Sequence, residues 1–157
     1  MTVAVAAPVL EYVGTLKAQL KPPIQVGGPF GTRLFFEVLG GDYHGVSGEQ
    51  GTLLTGGGDW LLAGQDGYGR LDVRAQIKMH DGAIIFVQYH GVIEMNDAVM
   101  GAMQGGTATA FEQHYFRTAP RFETSDERYA WLQQSVFVGQ GRVIEGVGVE
   151  YNIFRVK

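Results

Sequence analysis

Cysteine is absent from the 157 residues, which removes disulfides, thiolate nucleophiles and cysteine-held zinc or iron–sulfur centres. Charge is scarce too: Asp, Glu, Lys and Arg make up 18%, below the roughly 25% of an average soluble domain. The 12 basic residues are outnumbered by 16 acidic ones, and no run of Lys or Arg exists. The footprint of a nucleic-acid binder is therefore missing, and no nucleic-acid partner is expected. No apolar run approaches the ~20 residues of a membrane-spanning helix, so no membrane partner is expected either. Residues Met1 to Pro8 lack the basic start of a secretory signal and read as an irregular lead-in, with a cytoplasmic setting expected. No GxGxxG opens a helix, and GxxxxGK[ST], HExxH and GxSxG do not occur, which argues against nucleotide-binding, zinc-protease and serine-hydrolase chemistry.

What the chain has in quantity is glycine, 24 residues scattered among β-branched and aromatic ones. That pattern predicts many short strands and tight turns. Arg70 to His80 alternates strictly, with Leu71, Val73, Ala75, Ile77 and Met79 on one face and Asp72, Arg74, Gln76 and Lys78 on the other. Asp81-Gly82 then predicts a two-residue type I′ turn into the apolar run Ala83 to Ile93. Such a turn sets Arg74 opposite Tyr89 and turns His90 toward the Leu71 face. Further strands are expected at Leu10 to Leu20, Thr32 to Leu39, Gly51 to Leu54, Trp60 to Ala63, Tyr115 to Phe122, Val136 to Val138 and Val149 to Val156. Gly40-Gly41 and Gly139-Gln140-Gly141 read as turns between them. Asn96 to Met103 reads as a short helix capped by Asn96, and Ser125 to Leu132 as a helical turn. The expected fold is all-β: one domain over residues 1–157, a closed antiparallel barrel with one or two short helices.

Chemistry-bearing residues concentrate in a few places. Tyr115 to Thr124 holds three aromatics, two arginines and a carboxylate within ten residues. Alternation puts Tyr115, Arg117, Arg121 and Glu123 on one side, with Tyr115 and Arg117 for a lumen or for ion pairs, and Phe116, Thr118, Pro120 and Phe122 on the other, where Phe and Pro look like core. Pro120 cannot donate to a ladder, so the strand is at an edge, bulged or finished there. In Gly56-Gly57-Gly58-Asp59-Trp60, a ring beside Asp59 would desolvate the carboxyl and raise its pKa toward the acid–base range. The plain alternative is that Asp59 accepts turn N–H groups while Trp60 is core. Arg33, on parity with Phe35 and Glu37, either binds a substrate oxyanion or pairs with an acid. Arg74 and Tyr89 are a further cation and phenol for substrate contact or an ordinary cross-strand pair. His80 and His90 fall on opposite faces, so no metal site is expected, and no cofactor motif stands out.

The runs Gly27 to Arg33, Gly56 to Trp60, Leu71 to Arg74, Asp81 to Ala83, Tyr115 to Thr124, Arg128 to Leu132 and Gly139 to Gly141 stand in the order found in the family called domain of unknown function 3237. The chain resembles that family over essentially its whole length. The resemblance implies a lipocalin-like or allene-oxide-cyclase-like barrel, a homo-oligomer, with a pocket at one mouth. It adds no settled activity, because one fold hosts many functions. The residues and the resemblance together lead us to expect a cofactor-independent lyase, isomerase or cyclase moving protons on a small aromatic or carbonyl-bearing metabolite. Asp59, Arg33, Tyr115 and Arg117 are the expected catalytic residues, and Trp60, Arg74, Tyr89, Phe122 and Glu123 the expected substrate contacts. A carrier barrel without chemistry is the alternative, and a module for self-association a third.

Overall fold

The computed structural model describes residues 2–157. Ten strands form it: β1 (Leu10–Leu20), β2 (Ile24–Gly27), β3 (Thr32–Gly45), β4 (Gln50–Leu53), β5 (Gly58–Ala63), β6 (Tyr68–Met79), β7 (Ile84–Glu94), β8 (Phe116–Glu123), β9 (Val136–Ile144) and β10 (Gly148–Val156). Every pairing is antiparallel. From β1 the sheet runs through β10, β9, β8, β7 and β6 to β3, with β4 and β5 sharing one position, and β3 pairs back onto β1. That circuit is a closed eight-strand barrel, and β2 lies outside it along β3. Closure gives every strand of the circuit a neighbour on both sides, the far half of β8 on its β9 side excepted.

Alternation decides what fills the barrel. On β6, Leu71, Val73, Ala75, Ile77 and Met79 are buried while Arg70, Arg74, Gln76 and Lys78 are exposed. Val87, Tyr89 and Ile93 on β7, Phe116 and Phe122 on β8, and Tyr151 and Ile153 on β10 complete the same interior.

The hairpin between β6 and β7 forms with a different register from the one Asp81-Gly82 suggests. Met79 N–H donates to Ala83 O at 2.8 Å and Gly82 N–H to Met79 O at 2.9 Å, so the loop holds three residues, His80 to Gly82. A type I′ turn needs two residues at positive φ, and here only Gly82 (φ 95°) supplies one. The extra residue shifts every pair by one: Arg74 faces Gln88, Val73 faces Tyr89, and Asp72 faces His90. Tyr89 thereby turns inward and His90 outward, where its Nε2 lies 3.5 Å from Asp72 Oδ1. Gly82→Ala should cost about 1 kcal/mol by forcing a Cβ into the left-handed region, measurable by urea unfolding.

Two glycine pairs taken for turns lie inside strands. Gly40 and Gly41 sit in β3, and β9 runs through Gly139 and Gly141 because those positions face the interior. A Cβ on Gly141 would come within 2.8 Å of the Phe116 ring, and one on Gly139 would collide with Thr118 Oγ1. The short strand β2 was also not apparent in the sequence.

The helix α1 (Asp97–Met103) has the expected cap, with Asn96 Oδ1 accepting the Val99 N–H at 3.0 Å. A 3₁₀ segment covers Glu127–Gln133, capped by Asp126. It packs beside β8 where that strand loses its partner: the β8–β9 ladder contains only Arg117↔Gln140 and Thr118↔Gly139 and stops before Pro120, while pairing with β7 continues to Glu123. Pro120 therefore makes a half-edge. A second 3₁₀ segment lies at Phe111–Gln113. Among the described residues no helix is long and apolar enough to cross a membrane.

Candidate functional site

Asp59 is the charged residue the barrel interior encloses. It sits in β5 between β3 and β6, opposite Phe36 on one side and Val73 on the other, and is 9% exposed. Its Oδ1 accepts the Asp72 N–H at 3.1 Å, at a point where the β5–β6 pairing skips from Asp59↔Val73 to Leu62↔Arg70. The carboxyl thus fills a local opening of the ladder. Burial drives its pKa up from 3.8 to about 7; the Asp72 N–H and the charge of Arg33 oppose the rise, and the Asp72 carboxylate adds to it. The desolvating wall is the barrel itself. Trp60, adjacent in the strand, points the opposite way, is 44% exposed and rests on Phe35 with ring centroids 4.8 Å apart.

Two phenols share this interior. Tyr89 Oη donates to Tyr151 Oη at 3.2 Å, and the rings meet edge to face at 5.3 Å. Phe116 meets the Tyr151 ring in the same manner at 5.3 Å and holds it in place. Burial raises both phenol pKa values, and the Asp59 charge raises them further, so both remain proton donors at neutral pH. Sequence reasoning missed Tyr151. Its parity with Val149 and Ile153 in an apolar strand was the available signal.

Two cavities of about 20 Å³ each flank Asp59, each with room for about one water. One is lined by Val73, Tyr89 and Tyr151 with Leu16, Ala18 and Val38. The other is lined by Phe36, Leu61, Phe116 and Val143 and ends at Met103 and Val147. No Lys, Arg or His lines either.

The structure brings Asp59 and Tyr89 together and leaves the other expected site residues elsewhere. Arg33 approaches only from outside, with Nη1 donating to Trp60 O at 2.8 Å. Tyr115, Arg117 and Glu123 are on the outer face, because the even-numbered residues of β8 take the interior. Arg117 Nη1 donates to Phe116 O at 3.0 Å, and its guanidinium lies 5.4 Å over the Tyr115 ring. Arg74 is exposed and, after the register shift, no longer opposite Tyr89. Phe122 is buried against Phe137 at 5.2 Å and lines neither cavity at Asp59.

A larger concavity, about 870 Å³, is an open groove on the outside of β7 and β8, lined by Gln76, Gln88, Arg121 and Glu123 among others. It is polar and solvated. The enclosed, perturbed carboxyl outweighs the larger hollow as a marker of function. Among the described residues no group of three or more His, Asp or Glu side chains is placed to hold a metal.

Comparison with known proteins agrees with this architecture. A UPF0311 protein of Clostridium acetobutylicum is 30% identical over 130 residues, 82% of each chain. The crystal structure of a conserved protein of unknown function from Rhodopseudomonas palustris superposes with a TM-score of 0.88 at 27% identity, over 98% of this chain and 100% of that one. An enzyme from Penicillium herquei superposes with a TM-score of 0.72 at 21% identity over the whole of both chains, a likeness of fold. The model of the family described as "Protein of unknown function (DUF3237)" matches residues 8–156, and the chain belongs to that family.

Proposed function

We propose that this barrel is an enzyme that moves a proton on a small carbonyl-bearing or aromatic molecule, using side chains of its own interior. The observation that carries the reading is Asp59: an enclosed carboxyl without an ion-pair partner, beside two protonated phenols. A carboxyl with a pKa near 7 exists in both forms at neutral pH, which suits a group that must take and return a proton. In an isomerisation, the Asp59 carboxylate takes a proton from the carbon next to a carbonyl. A hydrogen bond from the Tyr89–Tyr151 pair stabilises the enolate oxygen, and Asp59 delivers the same proton to another carbon. Elimination or cyclisation would use the same groups. The Penicillium herquei enzyme supports the reading to the extent that the fold accommodates catalysis.

A substrate is not needed for a first test. Incubating the protein in D₂O with acetone or butanone, the smallest ketones, and following the α-protons by NMR should reveal exchange faster than buffer alone. Arg117→Leu should leave that rate within about twofold of wild type, since Arg117 faces outward. Exchange no faster than buffer for either ketone overturns the proposal. The alternative of a carrier is favoured by the closed, mostly apolar interior, and it gives uptake of ketone without exchange.

A further inference from the structure

A hollow of about 300 Å³ lies at the end of the barrel opposite α1, between the β3–β4 turn and the 3₁₀ segment Glu127–Gln133. It shares no lining residue with the hollows at Asp59 and is independent of the reaction proposed there. Its volume reaches the ~300–1,000 Å³ of small-molecule sites, enough for a single aromatic ring with a polar substituent. Tyr43, Tyr129 and Trp131 form its walls, with Val13 and Leu132 buried behind them. Val46 and Ser47, both exposed, stand at a rim that opens to solvent.

The walls are held by contacts of their own. Tyr129 Oη donates to Asp81 Oδ2, and Arg128 pairs with Asp81 at 3.4 Å and Asp126 at 2.6 Å. These bonds tie the 3₁₀ segment to the β6–β7 loop. Trp131 packs on Phe137 with ring centroids 5.9 Å apart, and Tyr43 Oη donates to Val13 O at 3.3 Å. Walls already in place lower the ordering cost of binding.

Arg155 supplies the charge. It shares the parity of Tyr151 and Ile153 on β10, so its side chain turns to the inner side where the barrel ends. The guanidinium lies 5.7 Å over the Trp131 ring. Its cross-strand neighbour on β1 is Glu11, yet Glu11 is bound by Lys157 Nζ at 3.0 Å. Glu49, the other carboxylate of the wall, is turned to the Ser47 N–H at 3.2 Å and closes the β3–β4 turn. Among the described residues no carboxylate pairs with this half-buried guanidinium. A guanidinium stacked on a ring keeps its donor edge free for a carboxylate, which it can hold by two parallel hydrogen bonds.

We infer that this hollow binds a small aromatic carboxylate, its ring among the aromatic walls and its carboxylate on Arg155. Benzoate, benzamide and benzamidine share one planar shape and carry a negative, no and a positive charge, and their binding is measured by calorimetry at pH 7.5. Benzoate should bind saturably and at least about tenfold more tightly than benzamide, with benzamidine no tighter than benzamide. Arg155→Gln should bring benzoate to within about threefold of benzamide. Val46→Glu, a change at an exposed rim position, should weaken benzoate severalfold and spare benzamide. Arg121→Gln, in the outer groove, should leave benzoate affinity within about twofold of wild type.

No saturable benzoate binding up to about 10 mM, or benzamide or benzamidine binding as tightly as benzoate, overturns the inference. So does a preference for benzoate that survives both Arg155→Gln and Val46→Glu. Loss of benzoate binding in Arg121→Gln overturns it as well, by moving the anion to the outer groove.

Discussion

Asp59→Asn is expected to remove the proton-transfer activity and, at the same time, to make the protein more stable above neutral pH. The two effects have one origin. A carboxyl whose pKa rises from 3.8 to about 7 on folding holds its proton in the folded chain at pH values where the unfolded chain has released it. Folding stability from this group is therefore greatest below about pH 4, falls as pH rises from about 4 to about 7, and is level above that. At 1.36 kcal/mol for each tenfold change in proton affinity, the loss is about 4 kcal/mol.

Asparagine keeps an oxygen for the Asp72 N–H and never ionises, so the variant escapes that loss. Wild type and Asp59→Asn should melt at similar temperatures near pH 4. By pH 8 the variant should melt higher by on the order of 10 °C, read from calorimetric scans across the pH range. Turnover should fall by about 10² to 10⁴-fold, the span ordinarily supplied by a general acid or base. The wild-type exchange rate should rise with pH through about 7, because the carboxylate is the form that takes the proton. An unchanged rate in the variant, or a stability difference independent of pH, would show that Asp59 is neither base nor buried acid. Gaining stability while losing activity is the pattern expected where a site holds a group its surroundings disfavour.

How far the sequence revealed this site depends on where side-chain parity was certain. The barrel followed from alternation and glycine-rich turns, and the ends of β1 coincide with the expected Leu10 to Leu20 run. Asp59 was singled out for an acidic residue at a strand start, though the ring expected to desolvate it points outward. Parity on β8 was also correct as a pattern, with Phe116 and Phe122 opposite Tyr115 and Arg117. On β8 the side of Phe116 and Pro120 reads as packing, and it is the one the barrel buries. What a single strand does not encode is what its polar face meets: lumen or ion pairs were both open for Tyr115 and Arg117, and that face lies outside the barrel. On β7 the error was one of register: a single extra loop residue moved Tyr89 inside and His90 outside. Gly139 and Gly141 read as a turn because their reason for being glycine lies on another strand, in the volume of Phe116 and Thr118.

That volume match leads to the second large effect. Phe116 is fully buried, touches Tyr151 edge to face at 5.3 Å and lies over Gly141. Phe116→Ala should cost about 3–5 kcal/mol, the transfer energy of the ring plus the cavity it leaves. Gly141→Ala alone should cost about 1–3 kcal/mol, because its Cβ, 2.8 Å from that ring, forces Phe116 off its position. Together they should cost less than the two separately, since the new methyl enters space the ring has vacated. A coupling of at least about 0.5 kcal/mol in urea unfolding would measure this. Strict additivity would mean that Gly141 is glycine for its backbone alone.

The same pair tests how the phenols are held. Without its edge contact to Phe116, the Tyr151 ring gains freedom, and the Tyr89–Tyr151 hydrogen bond loses its fixed direction. Phe116→Ala should therefore slow ketone exchange even though the enlarged cavity accepts the ketone more readily, lowering the rate constant while leaving or improving affinity. A variant that bound more weakly at an unchanged rate constant would mean that Phe116 acts on the ligand directly and not through Tyr151.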